Sequence, residues 1–120
     1  MIKEKIDAAI VAHSMWKGRI RDAIATGHSD FDPAKVGMDN QCDFGKWLYS
    51  LDSTMTSDPH FQKVKTDHAL FHSEAGRILK LALEGKKAEA ETGINLGSPF
   101  ASASSQCIMT LSDWKKILKD

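Results

Sequence analysis

At the start of the chain, apolar residues return every three or four positions: Ile6, Ala9, Trp16, Ile20 and Ala23. His13 stands where the row would otherwise continue. This spacing traces one face of a helix and predicts a single long helix from Lys3 to about Thr26. Gly27-His28-Ser29-Asp30 ends it with turn-forming residues. Phe31 to Asn40 reads as a connection with one helical turn begun by Asp32-Pro33. A short helix is expected from Gln41 to about Ser50, capped by Asp39 or Asn40 and carrying Phe44, Trp47, Leu48 and Leu51 at helical spacing. Gly45 lowers its propensity and so marks a packing requirement. Asp52 to Ser57 reads as a polar loop.

Ser57 or Asp58 before Pro59 starts the next helix. Phe61, Val64, His68, Phe71, Ala75, Ile78 and Ala82 then hold the three-four spacing for about six turns, until Gly85-Lys86-Lys87. Ala88 to Asn95 can begin another helix, and Phe100, Cys107, Leu111, Trp114 and Leu118 share a later face. Gly97-Ser98-Pro99 lies between them and predicts a kink or break near residues 97–99. No segment alternates with period two. The fold class is therefore all-α: an up-and-down four-helix bundle with a short extra helix carrying Cys42. Met15, Met38, Met55, Leu83, Ile94 and Met109 offer apolar surface beyond one seam, which favours a two-fold homodimer.

With 120 residues and 42% apolar content, the chain suits one domain spanning 1–120. Sixteen basic and sixteen acidic residues cancel. Nucleic-acid binding and a polybasic membrane tether both need a cationic surplus that is not there. No apolar stretch is long enough to span a bilayer. Lys3, Glu4, Lys5 and Asp7 put charge where a leader peptide needs apolar residues, so a cytoplasmic protein is expected. Cys42 and Cys107 are too few for a disulfide framework.

The histidines carry the chemistry. His68 and His72 are four apart, so their rings leave one face of the helix about one turn apart, the spacing of two nitrogen ligands on one ion. Both lie on the apolar seam, where an imidazole needs a partner. His13 occupies the same kind of position on the first helix. Cys42 sits in the first turn of the short helix, where backbone N–H groups and the helix dipole favour the thiolate that metals bind. Three imidazoles and a thiolate make a full tetrahedral set for Zn²⁺, preferred over copper or iron on ligand softness. The pattern alone leaves the bland alternative open: hydrogen-bonded core histidines and a small apolar cysteine. His28 and His60 read as solvated and Cys107 as core. Asp39, Asp43, Asp67 and Glu74 read as surface acids rather than groups that orient an imidazole.

The sequence also resembles the chemoreceptor zinc-binding (CZB) domain family. The family pattern is a His with a large apolar residue three later, a Cys followed by apolar, Gly and bulky apolar, then two His four apart. Here the blocks are His13-Ser14-Met15-Trp16, Cys42-Asp43-Phe44-Gly45-Lys46-Trp47 and His68-Ala69-Leu70-Phe71-His72. The resemblance implies a helical bundle that holds zinc through His13, Cys42, His68 and His72. It also implies a regulatory role, reporting zinc or oxidants to an output domain or partner in chemotaxis or cyclic-di-GMP control. In that role oxidation of Cys42 would release the helix 41–50.

Other classes fit less well. A zinc hydrolase needs an open coordination position and a nearby general base, and no Glu lies between the paired histidines. A di-iron bundle needs several inward carboxylates in Glu-x-x-His pairs, and Asp67 beside His68 falls on the wrong side of the helix. An enzyme is not expected. The remaining alternative is a helical interaction or dimerisation module in which zinc is purely structural.

Overall fold

The computed structural model describes residues 2–118. Every regular element among them is helical. The long first helix predicted from Lys3 to Thr26 is in fact two, α1 (Ile2–Ser14) and α2 (Trp16–Thr26). The Met15 N–H reaches only to Ala12 O at 3.4 Å, while Ser14 Oγ bonds back to Ile10 O at 2.6 Å. A hydroxyl competing for an i−4 carbonyl loosens the backbone ladder, and the break falls there. α2 ends at Gly27, whose φ of 79° closes the helix in the left-handed region open to glycine.

α3 (Pro33–Val36) is the single turn expected from Asp32-Pro33, with the Asp32 carboxylate accepting from the Ala34 N–H at 3.0 Å. α4 (Asp43–Tyr49) begins later than predicted, and its cap is neither Asp39 nor Asn40. Cys42 itself occupies the cap position, its sulfur accepting from the Gly45 N–H. The segment read as a polar loop contains α5 (Ser53–Thr56), nucleated by Asp52 as an N-cap. α6 (Pro59–Leu83) starts at the Asp58-Pro59 signal as expected. The predicted interruption near 97–99 is a full break between α7 (Lys87–Gly93) and α8 (Pro99–Ile117), which Ser98 caps.

α6 is the central element and packs against α2, α3, α7 and α8, while α1 lies on α8 and α4. Phe61 meets Trp114 and Phe71 meets Phe100, so α6 and α8 run antiparallel. Ile20, Phe71, Ile78, Leu79, Leu111 and Trp114 are among the fully buried side chains. Of the residues expected to be apolar surface, Met15, Met38 and Met109 are about half exposed. Ile94 is instead buried, and Met55 and Leu83 pack against the core. Among the described residues no helix is long and apolar enough to cross a membrane.

Candidate metal centre

Burying His13, His68 and His72 is a consequence of periodicity. Each occupies a core-facing position in its helix, and each is 2% exposed or less. α1 delivers His13 two residues before the break at Met15, and α6 delivers His68 and His72 one turn apart. Cys42 arrives from the head of α4. The three Nε2 atoms form a nearly equilateral triangle with sides of 3.0, 3.1 and 3.1 Å. Cys42 Sγ lies 3.3 Å from His68 Nε2 and 3.9 Å from His13 Nε2. All four donor atoms fall within 4.8 Å of one another. Phe44 and Phe71 wall the triangle with ring-edge contacts to His13 and His68 and to His13 and His72 respectively.

The protons on the rings follow from their outer partners. His13 Nδ1 is 2.7 Å from Ala9 O, and His72 Nδ1 is 2.8 Å from Val36 O. A carbonyl only accepts, so each neutral ring carries its proton on Nδ1 and leaves a lone pair on Nε2. Two such lone pairs then face each other at 3.1 Å, where no hydrogen bond can form between them. His68 differs, since its Nδ1 is buried with no hydrogen-bond partner. A proton on His68 Nε2 can bridge to one neighbour but not to both. A cation among the four atoms satisfies every lone pair at once. Tetrahedral zinc, with bonds of about 2.0–2.1 Å to nitrogen and about 2.3 Å to sulfur, needs N···N separations of about 3.3 Å and N···S of about 3.5 Å. The N₃S donor set and its spacing fit that ion, and a hard oxygen-seeking cation such as Ca²⁺ or Mg²⁺ does not suit it.

Burial sets the electrostatics. Desolvation pulls the His13 pKa down to about 4 and that of His68 to about 2, and lowers His72 as well. The cysteine departs from the sequence expectation. The N–H groups of Gly45 and Phe44 do favour its anion, but burial outweighs them and pushes the thiol above its ordinary value. The helix terminus alone therefore does not make Cys42 a thiolate.

The outer contacts were only partly foreseen. None of the four acids near the ligands bonds an imidazole. Asp39 accepts from the Tyr49 hydroxyl at 2.8 Å, and Glu74 pairs with Arg77 at 2.8 Å. Asp67 is buried rather than solvated, 3.5 Å from Lys63 Nζ. Two of the imidazoles, His13 and His72, are oriented by backbone carbonyls, which no residue type announces. Gly45 shows its packing requirement: an added Cβ would overlap the Asp39 carbonyl. His28 is exposed, His60 pairs with Asp58 at the head of α6, and Cys107 is fully buried on α8 outside the cluster. α4 is anchored by buried Phe44 and Leu48, so its place in the fold does not rest on the cysteine alone.

A groove of about 790 Å³ opens onto the centre, with His13, Cys42 and His72 in its lining. Arg19 stands in its wall, its guanidinium 4.9 Å from the ring centres of both Trp16 and Phe31. The site is thus backed by buried side chains such as Phe71 on one side and approachable from this one.

A helical scaffold presenting a buried N₃S cluster defines a metal-binding helical domain. The sequence profile of the chemoreceptor zinc-binding domain matches residues 13–79, more than half of the chain, and the chain belongs to that family. No curated protein and no solved structure matches it. The matched region begins at the first clustered histidine and contains all four donors.

Buried neutral imidazoles make the metal-free chain sensitive to acid. The unfolded chain takes up these protons near pH 6.5, whereas folded His13 resists them to about pH 4. Below 6.5 the unfolded state binds more protons, so stability falls as the pH drops through that window. Between pH 7 and 5 the metal-free protein should lose on the order of 2 kcal/mol from His13 alone. Urea midpoints at the two pH values check this, and an unchanged midpoint contradicts it.

Proposed function

We propose that the chain is a regulatory zinc-binding module of bacterial signal transduction, of the kind that serves chemotaxis or cyclic-di-GMP control. One Zn²⁺ would be held by His13, Cys42, His68 and His72. The observation that carries this reading is the buried meeting of three imidazole nitrogens and one sulfur, two of the nitrogens with lone pairs that face each other and cannot bond each other. Four protein donors leave no open position of the kind hydrolytic zinc sites use, so the reading is of a regulatory module and not an enzyme. The same reading takes 1–120 as one cytoplasmic domain, an up-and-down four-helix bundle with the cysteine at the head of a short extra helix. The packing of α6 on α2 and α8 supports it.

Zinc, when bound, supplies the positive charge that keeps the buried sulfur ionised. The chain's own residues do the rest. The Gly45 N–H steadies Sγ from one side while the groove leaves it open to a small molecule from another. A thiolate there can take the distal oxygen of a hydroperoxide: an S–O bond forms, the O–O bond breaks, and hydroxide or alkoxide leaves. The sulfur gives up two electrons, the peroxide accepts them, and the sulfenic acid that remains is a much poorer ligand. Because α4 keeps its own core anchors, the constraint lost is the one on Gln41-Cys42 and the connection before it. A local oxidation would thereby free a defined segment for an output partner or fused domain to read. The second reading, zinc as a purely structural staple of an interaction module, is favoured by the way the four donors tie α1, α4 and α6 together.

Purified protein should carry one zinc per chain. Cobalt substitution should give tetrahedral d–d bands with a sulfur-to-metal charge-transfer band that disappears in Cys42→Ala. A charge-transfer band of full intensity in that variant removes Cys42 from the site.

Peroxide separates the two readings. Zinc-loaded protein should release zinc in step with one oxygen added to Cys42, followed by a zinc-sensitive dye and mass spectrometry. Cys107, fully buried with its thiol pushed up to about 12, should react later. Modification of Cys107 first with zinc retained leaves only the structural staple.

A homodimer is part of the proposal. Met15, Met38 and Met109 keep apolar side chains half exposed, enough for contacts between copies. Sedimentation at tens of micromolar, roughly the range of a weak protein interface, should show a dimer, and monomer alone contradicts it.

A further inference from the structure

Of the three imidazoles, only His72 takes its orientation from a separate element. His13 donates to Ala9 O within its own helix, and His68 Nδ1 has no partner. His72 donates across to Val36 O on α3. What sets the depth of α3 against α6 therefore sets the aim of one member of the cluster.

That depth is set by backbone on backbone. Gly76 lies one turn beyond His72 on the same face of α6, and Gly37 ends α3 directly over it. A Cβ added at Gly76 would lie 2.7 Å from both the Cα and the N of Gly37 and 2.8 Å from Pro33 O. These are main-chain atoms that cannot swing aside. A glycine inside a long helix costs about 1 kcal/mol relative to alanine, and Gly76 has no unusual backbone angle to justify it. The close approach is its reason. α3 is only four residues long with one buried side chain, Val36, so little else holds it at that height.

We infer that Gly76 is a positioning residue of the metal centre. By letting α3 lie on the backbone of α6, it places the Val36 carbonyl on His72 Nδ1, which fixes the proton there and directs the Nε2 lone pair inward. The effect on zinc affinity rests on the function proposed above, whereas the effect on the His72 proton does not.

The test is Gly76→Ala in the full chain. Zinc affinity, measured by competition with a chromophoric chelator, should fall about 10- to 100-fold, the usual effect of losing an outer partner of a ligating histidine. In ¹H–¹⁵N spectra of the imidazoles, the protected Nδ1–H of His72 should shift and exchange rapidly while that of His13 stays. Gly93→Ala is the control, because its Cβ would meet the Ile78 side chain on α6 without touching α3. It should lower thermal stability and leave both Nδ1–H signals and the zinc constant alone. If Gly76→Ala does not fold, Gly37→Leu is the second variant: a Cβ there already lies 4.0 Å from His72 O, so the longer side chain presses on α6 beside His72 and should move the same two readouts. An unchanged His72 signal in a folded variant overturns the inference and makes the glycine contact ordinary packing. If wild-type protein takes no zinc, the functional reading fails, and the His72 signal in metal-free protein still decides the role of Gly76.

Discussion

Three neutral imidazoles meet with their ring nitrogens about 3 Å apart between Phe44 and Phe71, and the lone pairs of His13 and His72 repel unless a shared proton or a cation lies among them. Helical periodicity puts each ring on a buried face, and two carbonyls dictate that His13 and His72 turn their lone pairs inward. The arrangement demands a shared proton or a cation, and it leaves His68 Nδ1 without the partner that a buried polar atom usually finds. Much of the local architecture follows from that demand. α1 and α6 contribute the imidazoles, the head of α4 carries the sulfur, and α3 brings one carbonyl to one ring.

The parts of this that could be read from the letters are those written in periodicity. The row Phe61 to Ala82 described α6 and its inward histidines, the Asp58-Pro59 pair marked a helix start, and Gly97-Ser98-Pro99 marked an interruption. What could not be read is what the backbone does. The break at Met15 depends on a serine hydroxyl reaching its i−4 carbonyl, a bond that serines in helices often make without breaking them. α5 needed only an Asp cap and four residues, too short for any period to show. Cys42 as its own helix cap escaped notice because Asp39 and Asn40 are the better capping residues by type. Ala9 O and Val36 O have no side-chain signature at all. Gly76 stood in plain view in an unbroken helical pattern, but only the position of α3 explains it.

The thiol and the imidazoles show burial acting in the same direction on different chemistry. Removal from water disfavours every charged form, so it keeps the rings neutral, which suits coordination, and keeps the sulfur protonated, which opposes it. The cost of ionising the sulfur therefore falls on the metal-binding step, and a proton must leave when the ion arrives. The Gly45 N–H bond to Sγ reduces that cost without removing it. The sulfur is consequently the donor that burial holds in the form a metal does not bind, and it is also one that the groove reaches.

The break at Met15 places a joint two residues after His13, a member of the donor cluster. On one side α1 rests on α8 and α4; on the other α2 rests on α6 and α7. The two segments therefore belong to different neighbours and meet beside His13. Thirteen residues of α1 extend about 20 Å from that joint, at about 1.5 Å per residue. A tilt of roughly 5° at His13 would carry the far end through about 2 Å, as the short arm of a lever moves the long one. The N-terminal end of α1 is accordingly where a small adjustment among four donor atoms would be felt as displacement.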